Sequence, residues 1–83
     1  MSAPQPSVSS LRLSNRTGRA LTLVVEPWAT EYPFPHSATV DVVERSGSAE
    51  EAIEVELEAD RVTVYARTAG TMSVFQNGVE LLP

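Results

Sequence analysis

Apolar side chains recur at alternate positions in short runs along this chain. Nowhere does a 3.6-residue apolar period last the ~10 residues that a helix needs. Alternation sends successive side chains to opposite faces of an extended strand, so each run marks one face for burial. Turn residues punctuate the runs roughly every 8 to 12 residues. The pattern predicts an all-β fold with strands near residues 8–14, 19–26, 38–44, 53–59, 61–67, 71–76 and 79–82.

A one-residue slip turns a whole strand inside out, so the apolar positions constrain pairing. Setting Leu11 opposite Leu23 and Leu13 opposite Leu21 leaves Arg16-Thr17-Gly18 as a three-residue loop, with glycine where a left-handed residue closes such loops. The same construction pairs Val64 with Val74 and Ala66 with Met72 around Thr68-Ala69-Gly70. Between these hairpins, Ile53, Val55 and Leu57 fall opposite Ala66, Val64 and Val62, and Glu54, Glu56 and Glu58 share the other face with Tyr65, Thr63 and Arg61. The connecting turn, Ala59-Asp60, has poor turn chemistry. Asn77-Gly78 is a strong two-residue hairpin signal and sets Val74 opposite Leu81. The C-terminal half therefore reads as a four-stranded meander. The whole reads as one small antiparallel β-sandwich, or partly closed barrel, of about seven strands over residues 8–83.

Residues 26–36 break the alternation with three prolines, which cannot donate to a central ladder, and they hold three of the five aromatics, the only Trp and the only His. Loops held by a rigid scaffold are common binding sites, which makes Trp28, Glu31, Tyr32, Phe34 and His36 the candidate ligand-binding residues. The structural alternative is that Trp28, Tyr32 and Phe34 fold over one end of the sandwich and plug its core; in a mixed arrangement Trp28 supports the loop from beneath while Tyr32, Glu31 and His36 face outward. Glu54, Glu56 and Glu58 form a second candidate surface, an acidic stripe with successive carboxylates ~7 Å apart. Such a stripe attracts basic partners, and equally it is a solvated face that guards an edge.

Charge and composition narrow the function. The formal charge is −5, and residues 41–60 carry eight acids against Arg45 alone, whereas Arg12, Arg16 and Arg19 precede the first acid, Glu26. An acidic chain does not neutralise phosphates, so nucleic acid is not an expected partner. All six cations are Arg, the usage expected of a GC-rich bacterial genome. The absence of cysteine excludes disulfides, thiol nucleophiles, Cys-ligated zinc and iron–sulfur clusters. No cofactor, metal site or catalytic residue is expected. Residues 1–7 hold two prolines and no cationic leader, and no stretch reaches the ~18 apolar residues of a membrane span. The expectation is a flexible arm ahead of a cytoplasmic domain, monomeric or weakly homo-oligomeric.

Asn15-x-Thr17, the strand 21–25, Glu26-Pro27-Trp28, Tyr32-x-x-Pro35 and Phe75-x-Asn77-Gly78 resemble a group of small uncharacterised bacterial all-β proteins with a Glu-Pro-Trp motif. In that group glycine is expected after the last loop proline, where this chain has His36. The resemblance implies the fold and no activity. Three functional readings follow from the residues: a non-catalytic domain binding a protein, peptide or small ligand through 26–36 and the neighbouring strand edge; a carbohydrate-binding sandwich; and a small metal-dependent or acid–base enzyme using Glu26, Glu31 and His36. The first leads. The second needs the Trp28 ring face in water, and the third needs its groups within about 3 Å of a shared atom.

Overall fold

The computed structural model describes residues 8–83, so the expected arm over 1–7 lies outside the described residues. Eight strands form: β1 (Val8–Ser14), β2 (Leu21–Glu26), β3 (Thr30–Phe34), β4 (Thr39–Arg45), β5 (Glu54–Leu57), β6 (Arg61–Tyr65), β7 (Thr71–Gln76) and β8 (Val79–Glu80). They make two four-stranded sheets, ordered β1-β4-β7-β8 and β3-β2-β6-β5. The domain is an all-β sandwich, not a closed barrel. Leu23, Val25, Tyr32, Phe34, Val40, Val42, Val62, Val64 and Val74 form the core between the sheets.

Two expected hairpins are present in the expected register: Leu57 opposite Val62 with Val55 opposite Val64, and Phe75 opposite Glu80 with Gln76 opposite Val79. Asn77 (φ 52°) and Gly78 (φ 78°) are both left-handed, as a tight hairpin turn requires. The Ala59-Asp60 turn lacks that chemistry and is held from outside. The Ala59 carbonyl accepts from the Arg19 guanidinium (Nε at 3.1 Å), and the Asp60 carbonyl accepts the Thr22 N–H at 3.0 Å.

The other two expected hairpins do not form. β1 pairs with β4, not β2. β7 pairs with β4, not β6, and β6 runs parallel to β2. The C-terminal half is therefore not a meander, and the sandwich is mixed rather than antiparallel. Alternation fixes which face looks inward but not which strand lies alongside. Leu11 and Leu13 still pack against the same core as Leu23, but from the opposite sheet. The two-residue turns close hairpins, whereas both three-residue loops cross between sheets. At the first crossing Asn15, 1% exposed, donates through Nδ2 to the Arg19 and Phe34 carbonyls (2.8 and 2.9 Å). Its Oδ1 accepts from the Thr17 N–H and hydroxyl (3.0 and 2.7 Å). Gly18 is left-handed there (φ 85°), as expected. At the second crossing Ala69 (φ 63°) is the left-handed residue, not Gly70.

The stretch 26–36 is likewise not one loop. It contains β3, which forms a hairpin with β2 (Leu21 opposite Phe34, Leu23 opposite Tyr32) beyond a cis Glu26–Pro27 bond. Pro33 is tolerated because β3 is an edge. Strand parity then decides the orientations: Phe34 (2% exposed) faces the core as in the plug arrangement, and Tyr32 (8%) does too, against the outward position also considered for it. Trp28, at the hairpin tip beyond the reach of that core, is 47% exposed. Phe34 is the plug; Trp28 is not.

The last inward position of β4 is filled by a carboxylate. Glu44 is 1% exposed and accepts from the Arg67 backbone N–H (2.7 Å) and Nε (2.6 Å). Arg67 also donates to Ser9 Oγ (2.9 Å) and to the Glu51 carbonyl (3.3 Å), tying β1, β4 and the 46–53 and 66–70 loops together. Gly47 and Gly70 close over this group. A Cβ on Gly47 would lie 2.1 Å from Glu44 Oε1, and one on Gly70 2.7 Å from Oε2. Gly47 is thus sterically required.

Candidate functional site: the acidic face and open edge of the second sheet

The structure divides the candidate residues into three groups. Tyr32 and Phe34 belong to the core. Glu31 points outward from β3. His36 follows β3 at the end of the sandwich opposite Trp28, five residues from Glu31, a separation of roughly 16 Å for extended chain. Glu26, Glu31 and His36 are not brought together, and among the described residues no three acidic or histidine side chains cluster as a metal site.

What the fold does assemble is one continuous outer face on the second sheet. Cross-strand pairing sets Glu31, Val24, Thr63 and Glu56 in one row across β3-β2-β6-β5, and Glu26, Tyr65 and Glu54 in the next. Glu58 follows at the β5 end, where its N–H donates to the Arg61 carbonyl at 2.9 Å. The two sets of acids that lie apart in sequence, Glu26 with Glu31 and Glu54 with Glu56 and Glu58, thus share a surface, and Trp28 stands at its rim. The Tyr65 hydroxyl hydrogen-bonds Glu56; its pKa is raised above the usual tyrosine value by lost hydration first, then by the negative charge of Glu56, Glu26 and Glu54. One buried side-chain oxygen on this face, Glu26 Oε1, has no hydrogen-bond partner among the described residues.

Among the described residues β5 is the last strand of this sheet, with no strand paired beyond it. All four residues of β5 are exposed. Val55 and Leu57 lean toward the core side with their partners Val64 and Val62, yet they remain 36% and 78% exposed. Because the Glu58 N–H bonds to Arg61, alternation of the antiparallel ladder turns the N–H and C=O groups of Glu54 and Glu56 toward β6 and those of Val55 and Leu57 toward the free edge. The opposite edge is blunted by Pro33, which has no N–H to offer.

Sequence reasoning found Glu54, Glu56, Glu58 and Trp28 but missed Tyr65, Val55 and Leu57 as surface features. It also missed Glu44, which sits on the inward parity of Val40 and Val42, a signal that was available. Of the residues of the Glu-Pro-Trp resemblance, Asn15 and Thr17 lie at the first crossing, Pro27 and Trp28 at the β2–β3 tip and Asn77 and Gly78 at the last turn, while residues 21–26, Tyr32 and Phe75 lie in β2, β3 and β7. No helix among the described residues is long and apolar enough to cross a membrane. No family model, curated protein or solved structure matches the chain.

Proposed function

We propose that the domain is a non-catalytic interaction module that accepts an extended segment of a partner protein as an added strand on β5. The carrying observation is the open edge itself: four exposed residues, free backbone groups at Val55 and Leu57, and a leucine 78% exposed on the core side. Strand addition supplies affinity through main-chain bonds and specificity through alternate side chains. Inward-leaning positions of the added strand would cover Val55 and Leu57. Outward positions would meet Glu54, Glu56 and Glu58, so the fitting segment alternates apolar with Arg or Lys. Charge also selects against a second copy, since β5 paired with β5 sets carboxylate against carboxylate. Tyr65 and Trp28 offer ring faces to cations along the same surface.

The test is a nitrogen-15 NMR titration with an alternating Arg/Val octapeptide, against a Glu/Val octapeptide of equal length. The expected result is saturable shifts at residues 54–58 and 65 with the basic peptide alone, lost in Val55→Pro, which removes an edge N–H. Equal response to both peptides, or shifts that avoid β5, contradicts the reading. Exposure of Trp28 favours a second reading, a sugar-stacking module. Trp28 fluorescence changes with simple sugars, and none with the basic peptide, would choose it.

A further inference from the structure

At the end of the sandwich away from Trp28, a cleft of about 170 Å³ opens between the end of β1 and the β3–β4 turn, lined by Ser14, Asn15, Arg16, His36, Ser37 and Thr39. In a chain of charge −5 this cleft carries two basic side chains and no acid. Arg16 and His36 make no hydrogen bond or ion pair with any described residue through their side chains. Asp41, two residues along β4 from Thr39, is held by Arg12 at 2.8 Å. Ser14 and Thr39 hydrogen-bond each other at 2.8 Å, which uses one hydroxyl proton and leaves the other to donate. Asn15 is saturated by its four bonds, so it forms a fixed wall and not a ligand group. The cleft is therefore furnished with donors.

Its floor is held in an unusual conformation. Ser37 is left-handed (φ 68°) in the turn closed by Ala38 N–H to the Pro35 carbonyl (3.1 Å), and its own N–H donates to the Asn15 carbonyl (2.8 Å). Glycine or asparagine suits that position of a turn, yet the chain has a serine there, in the lining of the cleft.

We infer that this cleft is a binding site for a small oxyanion of the phosphate class, with Arg16 as the charged anchor and His36, Ser37 and the Ser14–Thr39 pair as further donors. Guanidinium pairs with phosphate through two parallel N–H bonds, and hydroxyls complete the oxygen shell. The volume equals roughly five to six waters, enough for a phosphate group with a short ester substituent. The site is independent of the β5 edge: no residue is shared, and each proposal stands or falls alone.

The experiment titrates the labelled chain with inorganic phosphate and separately with glycerol phosphate, at ionic strength fixed with sodium chloride. Amide shifts of residues 14–16 and 36–39 are followed together with the Trp28 indole. Saturable shifts at these residues with either anion, an unmoved Trp28 indole, and at least tenfold weaker binding in Arg16→Gln are expected. Tighter binding of one anion distinguishes free phosphate from a phosphomonoester as the natural form. Arg45→Gln, at the far end of β4, should leave binding unchanged. Ser37→Gly separates structure from recognition, because it relieves the left-handed backbone and should hold or raise the melting midpoint while weakening phosphate. Linear, unsaturable shifts, an equal response to chloride alone, or full binding in Arg16→Gln would overturn the inference.

Discussion

The two edges of the second sheet, β3 and β5, are built from similar lengths of chain and end in opposite states. β3 turns Tyr32 and Phe34 into the core and carries a proline on its rim. Burial first, and then the negative charge of Glu80, raise the Tyr32 pKa above the usual tyrosine value. β5 turns Val55 and Leu57 the same way, yet both stay exposed, with three glutamates on the reverse face. Identical alternation thus has two outcomes: at β3 it buries side chains in the core, and at β5 it leaves apolar side chains exposed.

Substitutions can break this contrast. Phe34→Ala should destabilise by ~3 to 5 kcal/mol in chemical denaturation, the loss of a large side chain from a close-packed core. Leu57→Ala should change stability by less than ~0.5 kcal/mol, as at an ordinary surface position. Comparable losses would mean that β5 is as much a part of the core as β3.

A second contrast sets Glu44 against Glu54, Glu56 and Glu58. Glu44→Gln strands the Arg67 charge in a buried site and should cost about 3 kcal/mol or more. Removing any one exposed glutamate should be nearly neutral. Gly47→Ala presses on that same pinned carboxylate and should cost about 2 kcal/mol. Gly18→Ala, with open space around it, should cost only about 1 kcal/mol of left-handed strain. A reversed order of the two glycines would show that Glu44 yields readily.

The smallest effects concern Trp28 and pH. Trp28→Ala should lower stability by about 1 kcal/mol or less, and native fluorescence should be red-shifted and quenched by iodide. Tyr32 and Tyr65 are both raised above the usual tyrosine pKa. The folded state therefore resists their ionisation, and the stability this reflects is whole below about pH 10 and lost as pH rises through the folded values. Absorbance titration should show tyrosinate forming above the normal range, with the total change about halved by Tyr65→Phe. At the other extreme, the Asp41 carboxyl is held low by its hydrogen bond to Arg12. Its small contribution is present above the ordinary carboxylate range and fades as pH falls through the lowered value.

How far the sequence reached depended on which physical rule was read. Period-2 alternation identified seven of the eight strands and all inward faces at Leu11, Leu23, Val64 and Val74, because the face of a strand is a local property. Neighbours were legible only across the two-residue connections, Asn77-Gly78 and Ala59-Asp60, which leave the chain no room to cross to the other sheet. Where Arg16-Thr17-Gly18 crosses between sheets, side-chain anchoring by Asn15 and Arg19 decides the path, and neither shows in a hydrophobic pattern. β3 was hidden by Pro27, Pro33 and Pro35, since proline reads as loop until the strand is known to be an edge. The acidic stripe was visible, but its union with Glu26 and Glu31 rests on the parallel β2–β6 pairing, a long-range contact with no local signal.

The central claim, that β5 is a free edge awaiting a strand, is tested most directly by residue-resolved amide hydrogen exchange. In the free protein the Glu54 and Glu56 amides, paired to β6, should be protected, while Val55 and Leu57 exchange at close to unstructured rates. Addition of the alternating Arg/Val peptide should then protect Val55 and Leu57 selectively. Protection of those two amides in the free protein, or no gain when the peptide is bound, would contradict the account.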